Sequence, residues 1–584
     1  MAEPQKSRGP FIVAVLLVIA GLVGFALYRA GILAPTGTDE TKPATLTDEE
    51  MKKLQQPKTD DKAVEAPDAA APTTLKEYTF VPEEKLPPVQ GVAGYKPLKD
   101  NTVKMALNVW AGWAPVIYAN GGMKPKREWV TKDGKKFKLE LVLIDDPVAM
   151  RDAYASGNVH IGWATLDMLP LFMEELKKDS RTNPRVYQQI DWSNGGDGIV
   201  ARDGITNVGQ LRGKTIVLAQ NSPSQYFVLN ALINGGVQPS EVTFKYTSNA
   251  FEAAAAFNAD KKIAACVSWA PDIYNLSKVP GNKLIVSTLE ANRLIADVWF
   301  ARADFAKDHG PFLESLVKGI LDATEELYDD QAKKQEAAKL MGEGYNLPPA
   351  DALAMLGDAH WTNFAENFEF FLNQNNPTNF ERTWDTAYYL YGRVGRVGQK
   401  VPWDQVADFS IIKRLASDAK YSKHQNRYQT QFAAKSVSMI KAESGEILTK
   451  TVVIHFFPNS ADLKAKLKKN VGGKEVEELY DPNVDFVVEE VGKMAGQYGA
   501  ARIVIEGHTD GSMKGQIPFD AVKILSDARA KAVRDALIKK FPKTDPNQIA
   551  AEGMGWQRPA DESDPNNHAK NRRVEVKVFP LEAK

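Results

Sequence analysis

The run Ile503-Val504-Ile505-Glu506-Gly507-His508-Thr509-Asp510 constrains this chain more than any other stretch. Its apolar β-type residues end in Gly-His-Thr-Asp, so a carboxylate stands where a strand opens into a loop. Leu525-Ser526-Asp527-Ala528-Arg529-Ala530 then reads as a helix start that presents an arginine beside that carboxylate. Asn571-Arg572-Arg573-Val574-Glu575-Val576 returns as an alternating β run. A carboxylate and a guanidinium held side by side can clamp a zwitterion, one charge on each group.

The chain has 584 residues, too many for one ordinary domain; about three or four units are expected. Its 73 Lys and Arg nearly balance 74 Asp and Glu. No basic face for nucleic acid follows from that balance. Cys266 is the only cysteine, so no intramolecular disulfide can form. There is no His-Glu-x-x-His, Cys-x-x-Cys, Gly-x-Ser-x-Gly or Walker loop. The chain is therefore read as a binding protein rather than an enzyme, with no cofactor and no metal.

At the N-terminus Lys6 and Arg8 precede an uncharged apolar run from Phe11 to Tyr28. That length is near the lower limit for spanning a bilayer as a helix. It ends Leu27-Tyr28-Arg29, a poor cleavage site, so an uncleaved single-pass inner-membrane anchor is expected over a signal peptide. The charge bias keeps residues 1–10 cytoplasmic and sends the rest to the periplasm. The run carries no acid, which argues against an ion-driven relay. Residues 29–100 are rich in Pro, Thr, Ala, Asp, Glu and Lys and read as a flexible linker. From Val103 strands and helices alternate, for example Phe137 to Ile144 and then Val148 to Ser156, which argues for α/β architecture. Residues 310 to 400 are mostly helical by their apolar spacing. The expected division is 1–10, an anchor at 11–28, a linker at 29–100, a solute-binding domain at 101–415, a connector at 416–447 and a last domain at 448–584.

The stretch from about 450 to 580 resembles the OmpA-like peptidoglycan-binding domain. The resemblance rests on the three runs above, on Val453-Ile454-His455-Phe456-Phe457 with Ser460-Ala461-Asp462-Leu463, and on Gly553-Met554-Gly555 and Pro559. It implies that Asp510 takes the ammonium, and Arg529 the carboxylate, of diaminopimelate in the wall stem peptide. It places Thr509, Leu525 and Arg573 in the same site. Val522 stands where that family usually has Asn.

Residues 103 to about 410 resemble the type 2 periplasmic solute-binding proteins of ABC importers, in the nitrate, sulfonate, taurine and thiamine-precursor group. The phrases that carry this are Gly157-Asn158-Val159-His160-Ile161-Gly162, Leu211-Arg212-Gly213-Lys214-Thr215-Ile216 and Cys266-Val267-Ser268-Trp269-Ala270-Pro271. The resemblance implies two α/β lobes that close on a ligand by a hinge, and an ABC permease as partner.

Cleft loops in open α/β lobes lie beyond the carboxyl ends of strands. That rule nominates Trp113, Thr165, Asp167, Gln220, Ser222, Ser224, Asn249, Trp269 and Asp272. The start of a helix at Ser222 to Ser224 would suit an anion. Aromatic faces with Asp167 or Asp272 would suit a cationic amine, so the solute's charge stays open. The alternative to transport is an envelope structural or sensory role, with the two-lobed fold as a spacer or ligand-gated arm.

Overall fold

The computed structural model describes residues 77–581, except 203, 458, 472 and 473. The apolar run at 11–28 and the first part of the expected linker, 29–76, lie outside the described residues. Among the described residues no helix is long and apolar enough to cross a membrane.

The first lobe starts with β1 (Thr102–Leu107), β2 (Glu128–Val130), β3 (Lys136–Leu143), β4 (Ile161–Thr165) and β5 (Pro184–Ser193). The chain then crosses to a second sheet made of β6 (Asp197–Ala201), β7 (Thr215–Ala219), β8 (Thr243–Thr247), β9 (Ala265–Trp269) and β10 (Lys283–Ser287). It crosses back to β11 (Ala296–Arg302) and β12 (Ala359–Trp361). The first sheet has the order β12-β5-β11-β4-β1-β3-β2 and the second β10-β6-β9-β7-β8. These are the two α/β lobes the resemblance implied.

Each lobe keeps parallel strands at its centre, β1 with β3 and β4 in the first, β7 with β8 and β9 in the second. β4 and β11 are buried along their whole length, which suits their near-continuous apolar runs. The strands that carry the chain between lobes, β5, β6, β10 and β11, pair antiparallel. They are the strands the alternation of helix and strand does not reveal, because no helix separates them.

Helices Gly310–Asp329, Gln331–Tyr345, Phe364–Leu372 and Phe380–Arg393 then pack on the lobes, as the apolar spacing of 310 to 400 predicts. Part of the segment expected as flexible linker is pinned. Val81 bridges Tyr246, the amide of Glu84 donates to Gln220, and the amide of Val89 donates to Glu175. This strap therefore runs from the second lobe to the first.

The last region holds β13 (Leu448–Val452), a hairpin of β14 (Lys466–Val471) and β15 (Lys474–Leu479), then β16 (Arg502–His508), β17 (Ile549–Gly555) and β18 (Val574–Phe579). Its main sheet runs β13-β18-β16-β17. Helices Val484–Gln497 and Phe519–Lys540 cover it. The first strand ends at Val452, ahead of the Val453 to Phe457 run that carries part of the resemblance.

Two glycines set how close the second helix comes. Gly507 on β16 pairs in register with Gly553 on β17. A Cβ on Gly507 would stand 2.3 Å from the carbonyl oxygen of Ser526, and one on Gly553 would stand 2.3 Å from the amide of Asp527. Both obstacles are backbone, so a side chain can only be accepted by moving the helix. The helix thus lies directly on the strands, and its next residues include Arg529. Gly553→Ala is expected to destabilise this region by about 1–3 kcal/mol, the usual cost of overpacking. Chemical denaturation followed by circular dichroism checks this; an unchanged midpoint would refute the close approach.

Candidate functional site

Two groups of polar side chains stand out. The first lies at the end of β16. Asp510 follows the strand, and its carboxylate accepts from the Ser512 amide at 2.9 Å and from the Ser512 hydroxyl. Arg572 reaches its other oxygen with Nε at 3.2 Å, and His568 approaches at 3.7 Å. Partial burial would raise its pKa, but the two Ser512 bonds and then Arg572 hold it below the ordinary carboxylate value.

Arg529 is oriented from another side. Its Nε donates to the Ser460 carbonyl at 3.0 Å, and its guanidinium lies 4.9 Å over the Phe456 ring. Burial, and then the charge of Arg572, pull its pKa down, while Asp510 pulls it up. Asp510 and Arg529 therefore sense one another without forming a direct ion pair. Each is held by its own partners.

Thr509 is buried; its amide donates to Gly555 and its hydroxyl has no partner. Leu525 is half-buried on the helix. Arg573 turns inward, buried against Glu575 at 2.6 Å and the Arg558 carbonyl. Arg573 immediately precedes β18, and its carbonyl accepts from the His508 amide at 2.9 Å, which holds it against β16. Its neighbour Arg572, which the sequence reading left outside the site as a solvated or structural residue, is the arginine beside Asp510.

Beneath lies a cluster of Glu506, His508 and Glu575, whose ligand atoms come within 4.8 Å of one another. Three cations already face Glu506: Lys441, Lys577 at 3.7 Å and Arg558 at 3.8 Å. A metal ion there would stand against that positive charge, so the cluster reads as an ion-pair network.

The second group sits between the lobes. Asp297 on β11 is the register partner of Thr165 on β4 and of Asp191 on β5. Thr165, Asp297 and Asp191 thus form one row across three strands. Asp167 follows β4, and Asp197 opens β6 beyond the first crossing. Asp191 accepts from the Trp110 indole at 3.1 Å, and Asp197 accepts from the Ser193 hydroxyl at 2.7 Å. Gly112 is required under this row: a Cβ there would stand 1.4 Å from Oδ2 of Asp191.

All four carboxyls are buried. Desolvation pushes Asp167 and Asp197 up to about 7, and it raises the Asp191–Asp297 pair, in which Asp297 keeps its proton longer. Neither oxygen of Asp167 has a hydrogen-bond partner; the hydroxyls of Thr165 and Tyr391 lie close enough to moderate the shift but not in bonding geometry. Tyr391 instead donates to the Ser222 carbonyl at 3.1 Å, which ties the second lobe's helix Pro223–Asn234 to this group.

The other nominated residues are placed as follows. Ser222 turns its hydroxyl back to the Ala219 carbonyl, while the Ser224 hydroxyl is fully buried without a partner. Asn249 caps the helix Ala250–Ala259 through the Glu252 amide. Gln220 accepts from the strap at Glu84. Trp113 is fully buried and donates to Asn108 at 2.7 Å. Trp269 is half-buried with its ring edge-on to Phe251, and Asp272 is buried at the start of its helix. Thr165, Asp167 and the Ser222 backbone are brought to one place; Gln220, Asn249 and Trp113 have local partners of their own. Asp191, Asp197 and Asp297 were passed over. An isolated Asp inside an apolar run, as in Ile190-Asp191-Trp192 and Ala296-Asp297-Val298, was the signal, because Asp is rarely buried without a task.

The chain matches the OmpA family over residues 456–573 and the NMT1/THI5 like family over residues 139–334, and so carries a domain of each. It is 26% identical over 201 residues to the taurine-binding periplasmic protein of Escherichia coli strain K12, covering 34% of this chain and 58% of that relative. Among solved structures it resembles the periplasmic aliphatic sulphonate binding protein of Escherichia coli, at 15% identity and TM-score 0.40, covering 58% of this chain and 98% of the other. It also resembles the periplasmic nitrate-binding protein of Synechocystis, at 13% identity and TM-score 0.41, covering 55% of this chain and 89% of the other.

A carboxyl whose folded pKa is raised binds its proton more tightly in the folded state. The folded protein therefore loses stability as pH rises from the unfolded carboxyl value of about 3.9 to about 7. Asp167→Asn, which removes the charge, is expected to melt at the wild-type temperature near about pH 4 and above it near about pH 8. Thermal denaturation across that range checks this; a variant that melts lower at both ends would show that the carboxylate is paired.

Proposed function

We propose that this protein is an envelope binding protein that holds a small solute between its two lobes and grips the peptidoglycan stem peptide with its last domain, without chemistry of its own. The observation that carries the wall reading is the arrangement of Asp510 and Arg529. They stand near each other, opposite in charge and separately oriented, with Arg572 on the exposed side of Asp510. A diaminopimelate ammonium would replace Arg572 on Asp510. Its carboxylate would then meet Arg529, with Arg572 beside it.

The solute reading is supported by the two crossings between lobes and by the buried polar groups between them. The relative in Escherichia coli is described as taurine-binding, which fits a small periplasmic solute. Delivery to an ABC permease follows from that reading. The run at 11–28 would anchor the chain in the inner membrane, with the strap and both binding domains in the periplasm.

Retention on isolated sacculi tests the wall contact. Asp510→Ala and Arg529→Ala are each expected to weaken it about tenfold or more, the worth of one lost charge-assisted bond. Undiminished retention in both variants would remove these residues from the site. Fractionation tests the anchor. The full chain is expected in the inner-membrane fraction, and a chain lacking residues 11–28 is expected outside it; equal membrane recovery would refute an anchor in that run.

A further inference from the structure

The polar groups between the lobes are lopsided towards acceptors. Asp297 stands directly opposite Asp191 and Thr165 in the sheet, where facing Cβ atoms are about 4.5–5.5 Å apart. The strongest charges felt by Asp167 and by the Asp191–Asp297 pair are other carboxylates of the same group. Both oxygens of Asp167 and Oδ1 of Asp191 lack any hydrogen-bond partner. So do the hydroxyls of Thr165, Ser224 and Tyr226, each more than nine-tenths buried. Asp167 is the charge that the Tyr226 hydroxyl feels most strongly, so that hydroxyl faces the same place.

Burial without a counter-charge keeps these carboxyls protonated to higher pH, and a cation among them favours their ionised form. A single metal ion does not fit. Among the described residues, only Glu506, His508 and Glu575 bring three ligand atoms close enough together for one. The carboxylates between the lobes are spread more widely, which suits separate N–H donors on an organic cation. Trp110 donates its indole N–H to Asp191, and Tyr391 lies beside Asp167, so aromatic rings border the same carboxyls. An anion alone is poorly served, because the Ser222 hydroxyl is already used and acids face the site.

We propose that the buried acidic group where the lobes meet takes a small organic ammonium ion, with the charged nitrogen between Asp167 and the Asp191–Asp297 pair and the hydroxyls of Thr165 and Tyr226 on its polar remainder. This deepens the solute reading above and rests on it. The ligand class is an amine or substituted amine, and it includes zwitterions that enter ammonium first.

Isothermal titration of the purified full-length protein tests this, with putrescine and choline as cationic probes, taurine as a zwitterion and propanesulfonate as an anion. Putrescine or choline is expected to bind at least about tenfold tighter than propanesulfonate, and to lose about tenfold or more in Asp167→Asn. Asp297→Asn serves as a second variant, and unchanged circular dichroism shows that both are folded. Taurine binding that Asp167→Asn abolishes supports the proposal; taurine binding that survives that change overturns it. Propanesulfonate binding as tight as either amine overturns the charge assignment and leaves the solute site standing. Binding of none of the four probes overturns both.

Discussion

Thr288 ties the two chain crossings together, and the two-lobed half of the molecule is organised around that tie. Its hydroxyl accepts from the amides of Gly195 and Asp197 and bonds the Ser193 hydroxyl at 2.9 Å. Its amide donates to the Asp197 carbonyl at 2.8 Å. One short buried side chain thus joins the segment leaving the first sheet to the segment returning to it. Short crossings of this kind are where hinged lobes bend in proteins that close by a hinge. The carboxylates of Asp191, Asp197 and Asp297 stand beside these crossings, so the most costly charges in the fold lie where the lobes meet.

The C-terminal half reaches the same crossings. Tyr428, in the connector, stacks on His360 at 3.8 Å and donates to Asn194 at 2.9 Å in the first crossing. Gln497, at the end of the helix Val484–Gln497, accepts from Arg293 in the second crossing and from Asn230 in the second lobe. Glu489 on that helix pairs with Arg382. The connector and the last domain therefore pack directly against both crossings. The strap from Val81 to Val89 adds a third link across both lobes.

Much of the architecture was legible. The alternation of β7, the helix Pro223–Asn234, β8, the helix Ala250–Ala259 and β9 follows the periodicity of their apolar residues. The Gly-His-Thr-Asp end of β16 was legible too, because its glycine, its strand residues and its acid each carry a separate local signal. The crossing strands were not. β5 and β11 have no helix between them and their partner in sequence order, so nothing local marks them as neighbours. Arg573 shows the same limit at one residue. Sequence places two arginines together, and only the packing of the turn ahead of β18 decides that Arg573 turns to Glu575 while Arg572 meets Asp510.

The amino-acid sequence by itself determined the two kinds of domain, their order, and the acid and arginine of the last one. These depend on residues close in the chain, where propensity, periodicity and turn chemistry act directly. Only the tertiary structure decided which carboxylates are buried together where the lobes meet and which arginine stands on Asp510. Those outcomes depend on strand register and on burial across distant segments, and desolvation changes a charge's energy only once folding has removed the water around it.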